Sequence, residues 1–323
     1  MRSVETVVVG GGPAGSTCAW ALRRMGRDVL VLEASNFPRT KLCAGWVTPK
    51  VLTDLELDPN EVPSLEAIPA MNLHWKTSRP TLRIPSHQYS VQRSRFDAYL
   101  LERACAPVET HHVKQIDTVS DGFVIDKKYH ARHLVGAGGT SCPVKRSLFS
   151  GIHREQDIAL AKELEFRPVG AIVRETHLWW RFPVDPGFAW HVPKPDSINI
   201  GFGYWKTSKS LGIRAWDTFL DMLRLKGFLG PDDRPRPKGW SYYLLERRPR
   251  AGMEAEMQGR AMLIGDALGL ATWDLGEGIG PAIESGKSCA LRIAEGSAYR
   301  PQDVTRSSIL GGRWIGRLCS PLY

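Results

Sequence analysis

A glycine-rich turn near the N-terminus carries the clearest chemical signal in the chain. Gly10, Gly12 and Gly15 stand in the spacing G-x-G-x-x-G, with Pro13 and Ala14 between the last two. Glycines so placed permit a tight turn, let the backbone approach a pyrophosphate and allow a helix to pack closely on a strand. The helix that follows would offer unpaired amide groups and a partial positive charge to the phosphates. The turn therefore predicts a dinucleotide phosphate site, whereas the alternative is a purely structural glycine turn.

The segments around this turn are the elements that such a site needs. Residues 5–9 are Val-rich and predict a buried strand, and residues 16–27 predict a helix with small residues on one side. A second apolar run, at residues 29–32, ends at Glu33 and Ala34. An acidic residue about 20 positions beyond the glycines is placed to accept hydrogen bonds from ribose hydroxyls. Strand, turn, helix, strand and acid in this order favour the dinucleotide interpretation.

A second glycine-rich segment lies near the other end of the chain. The apolar residues 261–264 run into Gly265 and Asp266, and Gly276, Gly278 and Ile279 then open a helix of small residues. An Asp at the carboxyl end of a strand suits a polyol chain, and the helix dipole favours negative charge on a reduced ring system. The alternative is that Asp266 caps the loop that follows. There is no second strand–glycine–helix turn, which argues against a permanent second dinucleotide.

Together these segments resemble the geranylgeranyl reductase family, which has the flavoprotein hydroxylase-type fold. The resemblance extends over residues 4 to about 295 and includes a cysteine–glycine motif, an R-x-x-F-D helix start, a third nucleotide-domain strand and an aromatic substrate strand. These four segments are residues 41–45, 93–97, 133–139 and 188–201. Two positions depart from the pattern, because Gly138 replaces the usual Asp and Trp273-Asp274-Leu275 replaces a proline-containing approach to the flavin loop.

The resemblance implies bound FAD, with reduced nicotinamide (NADPH) or another transient electron donor. It implies that cofactor contacts extend beyond the two glycine segments to Lys41, Cys43, Ala44, Arg93, Val113 and Gly138. Cys43 is the candidate catalytic residue, since a thiol beside the flavin could assist protonation or orient the substrate; the alternative is a small buried hydrophobic residue. Arg93 has the alternative of a solvent-facing position at the start of a helix.

Three tryptophans are candidates for an apolar substrate wall, namely Trp190, Trp179 and Trp205. The alternative is that they pack the core of the sheet, which is the commoner place for tryptophan. Successive strand residues point to opposite faces, so at most one of Trp179 and its neighbour Trp180 can line a cavity. Trp190 is therefore the strongest candidate.

The fold class expected from this order is α/β, with a Rossmann-like FAD-binding domain interleaved with a mixed or antiparallel β-sheet substrate domain. The FAD-binding domain is expected to be discontinuous, whereas the region from Ala159 to Trp205 is dominated by strand patterns punctuated by proline and glycine. We expect residues 1–70, 93–155 and 251–300 to form the FAD-binding domain, 71–92 and 156–250 the substrate domain, and 301–323 a C-terminal tail.

Composition excludes several classes of protein. With 42% hydrophobic and 24% charged residues, the chain is neither disordered nor fibrous. The six cysteines and nine histidines are dispersed, so we expect no metal site and no disulfide framework. The net charge of +9 is spread along the chain, which argues against nucleic acid but is compatible with peripheral contact to an anionic membrane. A strand pattern begins almost at the first residue, from which we expect no signal peptide and a cytoplasmic location.

The function expected is FAD-dependent hydrogenation of carbon–carbon double bonds in a polyprenyl or similar apolar substrate. Two alternatives remain open at the level of sequence. One is an FAD monooxygenase or halogenase of the same fold, which would consume oxygen. The other is a flavin electron-transfer protein without a substrate of its own.

Overall fold

The computed structural model describes residues 1–77, 81–152, 158–205, 214–244 and 255–306. Its strands are β1 (Arg2–Val9), β2 (Val29–Glu33), β3 (Trp46–Val47), β4 (Glu66–Trp75), β5 (Leu82–Ser90), β6 (Val108–Thr110), β7 (Ile116–Val119), β8 (Gly122–Ile125), β9 (Tyr129–Gly136), β10 (Ile158–Phe166), β11 (Thr176–Trp180), β12 (Gly187–Pro193), β13 (Ile198–Trp205), β14 (Lys238–Tyr243), β15 (Glu256–Met257) and β16 (Ala261–Leu263). Its α-helices are α1 (Pro13–Arg24), α2 (Pro49–Leu55), α3 (Arg93–Arg103), α4 (Pro143–Leu148), α5 (Ala215–Leu225) and α6 (Ile279–Glu295).

The first sheet has the order β15-β16-β9-β1-β2-β6, and β7 and β8 extend it beside β9. Strand β1 pairs in parallel with β2 on one side and with β9 on the other, and β16 pairs in parallel with β9. Strand β6 also pairs in parallel, with β2. The carboxyl ends of five parallel strands therefore meet at one edge, and the strand order reverses beside β1. Ligands of open α/β sheets bind outside such a switch point.

The second sheet has the order β14-β10-β13-β12-β11-β4-β5-β3. Its pairings are antiparallel except for the parallel pair of β4 and β11. Helix α5 covers one face, where Phe202 and Phe219 belong to one apolar cluster with Trp179. Leu178, Phe188 and Trp190 form a separate cluster on the opposite face. The predicted α/β class with a Rossmann-like part and a mixed sheet is confirmed.

The two sheets are interleaved along the chain, but their boundaries differ in detail from the predicted domains. Strands β3 and the first half of β4 hydrogen-bond within the second sheet, although the prediction assigned residues 1–70 to the first domain. These short segments could not be assigned from sequence because their partner, β5, lies beyond them in the chain. The domain division stays a proposal, and of the predicted tail only residues 301–306 lie within the described part.

The described helices were compared with the length and apolar composition that a bilayer requires. Over the residues that the structure describes, none has both the length and the apolar composition to cross a membrane.

Candidate active site

A cavity of about 530 Å³ is lined by residues of both sheets. Most of the residues predicted to hold a cofactor line this one space, although they are far apart in sequence. They are Gly10, Gly12, Pro13, Ala14, Glu33, Ala34, Lys41, Cys43, Ala44, Arg93, Val113, Gly138, Asp266, Gly276, Gly278 and Ile279. Gly15 and Gly265 do not line the cavity: Gly15 packs against Gly10 and Ala137, and Gly265 packs between Ala14 of α1 and Ala282 of α6.

The first glycine turn has the geometry of a phosphate cradle. Gly10 adopts φ +111°, and a Cβ there would lie 2.5 Å from the carbonyl oxygen of Ala137. A Cβ on Gly15 would overlap the carbonyl oxygen of Gly10, so this pair sets how closely α1 approaches β1. Helix α1 begins directly after Gly12 with no side-chain cap. The amides of its first turn therefore lack intrahelical partners, an arrangement that suits an anion.

Glu33 stands at the end of β2, beside this cradle. One carboxylate oxygen accepts a hydrogen bond from the Gly11 amide at 2.7 Å, and the other accepts one from the Ser35 amide at 2.9 Å. Only 7% of the residue is exposed. Because a carboxylate oxygen accepts more than one hydrogen bond, Glu33 retains acceptor sites toward the cavity. The cradle and this fixed carboxylate fit the phosphates and ribose of an adenine dinucleotide.

Arg93 opens helix α3 and forms a buried ion pair with Asp97. Two of its nitrogens donate to the two carboxylate oxygens, at 2.7 and 2.8 Å. Arg39 approaches the same carboxylate at 3.5 Å, and it lies 4.0 Å from Glu33. Arg93 is 7% exposed and lines the cavity, so its solvent-facing alternative is wrong. The R-x-x-F-D pattern thus corresponds to an ion pair that fixes a guanidinium at the cavity wall.

The second glycine segment closes another side of the cavity. Gly276 adopts φ +65°, and a Cβ there would lie 2.5 Å from the hydroxyl oxygen of Tyr242. A Cβ on Gly278 would lie 3.0 Å from a carboxylate oxygen of Asp266. The Gly280 amide in the first turn of α6 donates a hydrogen bond to a carboxylate oxygen of Glu277 at 2.7 Å, not to Asp266. This leaves the Asp266 carboxylate on the cavity wall, where it fits a polyol chain.

The loop that carries Cys43 is held from behind by a lysine that the sequence analysis missed. The Lys194 ammonium group is fully buried and donates to the carbonyl oxygens of Ala44, at 3.0 Å, and Val91. It also lies 3.3 Å from a carboxylate oxygen of Glu165. Lys194 follows the substrate strand β12, so it connects the Cys43 loop to the second sheet. Nothing in the local sequence marks it, because its partners are distant in the chain.

Lys41 and Cys43 both face the cavity. The Lys41 nitrogen lies 3.2 Å from the centre of the Trp240 ring, and burial lowers the pKa of Lys41 to about 8. The Cys43 sulfur accepts a hydrogen bond from the Gly45 amide at 3.3 Å. Cys43 is partly exposed to the cavity rather than enclosed in the core. The catalytic role of Cys43 stays a prediction.

The far wall of the cavity is apolar. Leu178, Phe188 and Trp190 line it, and the Phe188 and Trp190 rings lie 5.7 Å apart. The prediction that Trp179 lines the substrate wall is wrong, because Trp179 is fully buried on the opposite face. The centre of its ring lies 6.1 Å from that of Phe219. Strand alternation sends Leu178 to the cavity and Trp179 to the core under α5.

Trp205, the third tryptophan predicted for the wall, ends strand β13. Its side chain lies outside the described part of the structure. Trp190 is therefore the one predicted tryptophan that the described residues bring to the cavity.

Similarity to known proteins identifies the family of this chain. Residues 8–47 match the model of the NAD(P)-binding Rossmann-like domain. A menaquinone reductase of Mycobacterium tuberculosis is 30% identical over 89% of this chain and 76% of its own length. The chloroplastic geranylgeranyl diphosphate reductase of Nicotiana tabacum is 25% identical over 95% of this chain and 70% of its own length.

The chain belongs to the geranylgeranyl reductase family of FAD-dependent oxidoreductases. The predicted family and enzyme class are thereby confirmed. A geranylgeranyl bacteriochlorophyll reductase-like protein of Thermoplasma acidophilum has the same fold, with a TM-score of 0.77 and 20% identity over 91% of this chain and 79% of that one. The flavin-dependent brominase Bmp2 aligns with a TM-score of 0.70 and 19% identity over 93% of this chain and 82% of that one. At these identities the two structures show the fold alone.

Two buried carboxyl groups of this reductase-family chain lie on the cavity wall and were missed by the sequence analysis. Burial raises the pKa of Glu163 to about 7 and that of Glu277 to about 8. Both residues line the cavity and are less than a tenth exposed. Alternation along β10 does not show which face of the strand lines the cavity. The face of Glu163 is known only from the packing of α5 against the opposite face of the sheet. Across the described ranges, no group of three His, Cys, Asp or Glu side chains is placed to hold a metal ion.

Proposed function

We propose that this protein binds FAD and uses it to hydrogenate carbon–carbon double bonds of a polyprenyl-type substrate. One observation carries the proposal: a single cavity runs from the glycine cradle and Glu33 to the apolar wall around Trp190. A cofactor on the cradle and an apolar chain against the wall would therefore meet in the same enclosed space. The names of the two relatives, a menaquinone reductase and a geranylgeranyl diphosphate reductase, support a prenylated substrate.

We infer that the residues of the cradle hold the adenosine diphosphate half of FAD. Gly10, Gly12 and the first turn of α1 would hold the phosphates, and Glu33 the ribose. Asp266 and the Gly276–Gly278 loop would face the flavin half, with Arg93 as the fixed cation on that wall. When bound, the reduced flavin supplies a hydride, for which a reduced nicotinamide or another donor provides the electrons.

The remaining residues position the substrate and exclude water. Leu178, Phe188 and Trp190 present an apolar surface to a hydrocarbon chain, whose transfer out of water is favourable. An isolated double bond is a poor hydride acceptor, so a proton must reach the other carbon during the same reaction. We therefore expect the enzyme to place an acidic group beside the alkene.

Substrate choice tests the proposal. The panel contains a prenyl diphosphate, a prenylated quinone and a short water-soluble alkene, each followed by mass spectrometry for the gain of two hydrogens. We expect reduction of a long prenyl chain in preference to the short alkene. Trp190→Ala should raise KM for the long chain and leave flavin affinity unchanged, since Trp190 lies on the apolar wall. Preference for a compact aromatic with stoichiometric oxygen consumption would instead establish the monooxygenase or halogenase alternative.

We also propose peripheral contact with an anionic membrane, where such substrates reside. Trp75 and Leu82 are 46% and 57% exposed near the same end of the paired strands β4 and β5. The Arg181 guanidinium lies 5.7 Å from the centre of the Trp75 ring. Exposed aromatic and basic side chains together suit the interface of an anionic bilayer. Vesicle flotation should show weak binding that high salt reverses; equal binding to neutral vesicles would contradict it.

A further inference from the structure

The apolar wall of the cavity contains one polar chain of hydrogen bonds. The Trp190 indole donates to the Asn199 side-chain oxygen at 2.6 Å, and the Asn199 amide nitrogen donates to Glu163 at 3.2 Å. All three side chains are buried. We propose that Glu163 is the acid that delivers the proton to the alkene. This inference rests on the proposed function and identifies a catalytic residue for it.

Strand register places Glu163 beside the substrate wall. Residue 201 of β13 pairs with Glu163 of β10 on one side and with Trp190 of β12 on the other. Because residue 201 is glycine, no side chain separates its two neighbours. A Cβ there would lie 2.5 Å from the Cβ of Glu163 and 2.6 Å from the Trp190 ring. The carboxyl group and the indole thus share the space above Gly201, on the face that lines the cavity.

The hydrogen bonds leave one carboxyl oxygen available for the substrate. The Trp190 bond occupies the Asn199 oxygen and so orients the Asn199 amide nitrogen toward one oxygen of Glu163. The other oxygen of Glu163 has no hydrogen-bond partner among the described residues. Glu165 pairs with Lys194. Glu277 accepts the Gly280 amide through one oxygen only, but it lies between Gly276 and Gly278 on the glycine-rich loop and not in the hydrogen-bonded chain with Trp190.

Electrostatics favour a proton on this carboxyl group near neutral pH. Burial raises the pKa of Glu163 to about 7, while the Asn199 hydrogen bond, Lys194, Lys41 and Arg93 act in the opposite direction. From strand β14, Tyr242 faces the same region, and burial raises the pKa of its hydroxyl so that it stays neutral. A carboxyl group with a pKa near the working pH is well matched to general acid catalysis.

In the proposed reduction, the proton of Glu163 and one hydride add to the two carbons of the double bond, and no other reactant is needed. The O–H bond of Glu163 breaks, and its proton forms a C–H bond at one alkene carbon. The other carbon forms a C–H bond with the hydride that the family's reduced flavin supplies. The proton and the hydride, which the reduced flavin would supply, together give the alkene two electrons and two hydrogens, and Glu163 is left as a carboxylate. Solvent water returns the proton to Glu163 before the next cycle.

Glu163→Gln tests the inference because Gln keeps the shape and the acceptor for Asn199 but cannot release a proton. We expect the rate of alkene reduction to fall about 10²- to 10⁴-fold, with KM and flavin affinity unchanged. Glu175→Gln is the matched control, because Glu175 is exposed immediately before β11. The rate of this variant should stay at the wild-type value. Wild-type turnover should fall as pH rises above about 7, and the variant should lose that dependence.

A second readout does not depend on turnover. Infrared difference spectra should show one protonated-carboxyl C=O band lost as pH rises through about 7 and a second, from Glu277, lost at about 8; Glu163→Gln should lack only the first. If the wild type reduces the prenyl chain and Glu163→Gln does so at the same rate, the inference is overturned and the proposed function stands. If the wild type reduces no prenyl chain, the proposed function falls and the inference with it. Should Glu163→Gln fail to fold, wild-type turnover independent of pH between about 6 and 9 would overturn the inference.

Discussion

Gly201 and Gly203 offer a matched pair of substitutions that tests the geometry of the cavity wall. Both lie in strand β13 and point to the same face, and neither adopts a positive φ. In Gly201→Ala the new methyl group would meet the Glu163 Cβ at 2.5 Å and the Trp190 ring at 2.6 Å. In Gly203→Ala the nearest atom would be the Trp190 ring at 3.7 Å, which is an ordinary van der Waals contact.

These distances determine how much each substitution should change the free energy of unfolding. Overpacking of this kind costs about 1–3 kcal/mol, so Gly201→Ala should lower the free energy of unfolding by that amount. Gly203→Ala fits without strain and should be neutral or stabilising by about 0.4–1 kcal/mol, because alanine restricts the unfolded chain. Because the Trp190 ring must move away from the new methyl group, Gly201→Ala should also raise KM for a long prenyl chain.

Urea unfolding of the two variants, at equal flavin occupancy, measures the difference. We expect a lower midpoint for Gly201→Ala and an unchanged or higher one for Gly203→Ala, each with the wild-type slope. Equal midpoints for both variants would refute the argument that Glu163 and Trp190 meet above Gly201.

Three further outcomes are expected. Glu33→Ala should weaken FAD binding far more than folding, because Glu33 stands beside the phosphate cradle; normal FAD affinity by titration, or FMN as the bound flavin, would contradict the assignment. Cys43→Ser should keep the flavin absorbance but change the rate or the position of the reduced double bond; an unchanged rate and product would leave Cys43 as a packing residue. His191 is fully buried, and burial lowers its pKa to about 4. Because the unfolded chain binds this proton at about pH 6.5, the free energy of unfolding should fall below that pH, by about 2 kcal/mol at pH 5. The free energy of unfolding should therefore fall less between pH 7 and 5 in His191→Gln than in the wild type. An identical fall in both proteins would refute this prediction.

The parts of the site that the sequence could predict depend on local chain geometry. The turn at Gly10–Gly15 and the distance to Glu33 are set within one strand–helix–strand unit, so a single sequence suffices to recognise them. Asp266 comes shortly after the short strand β16 and was found in the same way. Cys43 and Arg93 required the family resemblance, since nothing in their own segments indicates a cavity.

The parts that could not be predicted depend on contacts between distant strands. Alternation predicted that at most one of Trp179 and Trp180 faces the cavity, but the choice of face depends on where α5 packs, and Trp179 proved to lie beneath it. Glu163 and Lys194 have no local signal, because their partners come from strands and loops elsewhere in the chain. The role of Gly201 appears only when the register of three strands is known.

The central claim is that one cavity brings a flavin and a prenyl double bond together, and a single turnover without oxygen tests it most directly. The purified protein would be reduced anaerobically, mixed with a long prenyl diphosphate or prenylated quinone, and followed by flavin absorbance and product mass. The account predicts that flavin is reoxidised as the product appears, with one double bond lost per flavin oxidised. Flavin that stays reduced with these substrates and is reoxidised by oxygen alone would contradict it.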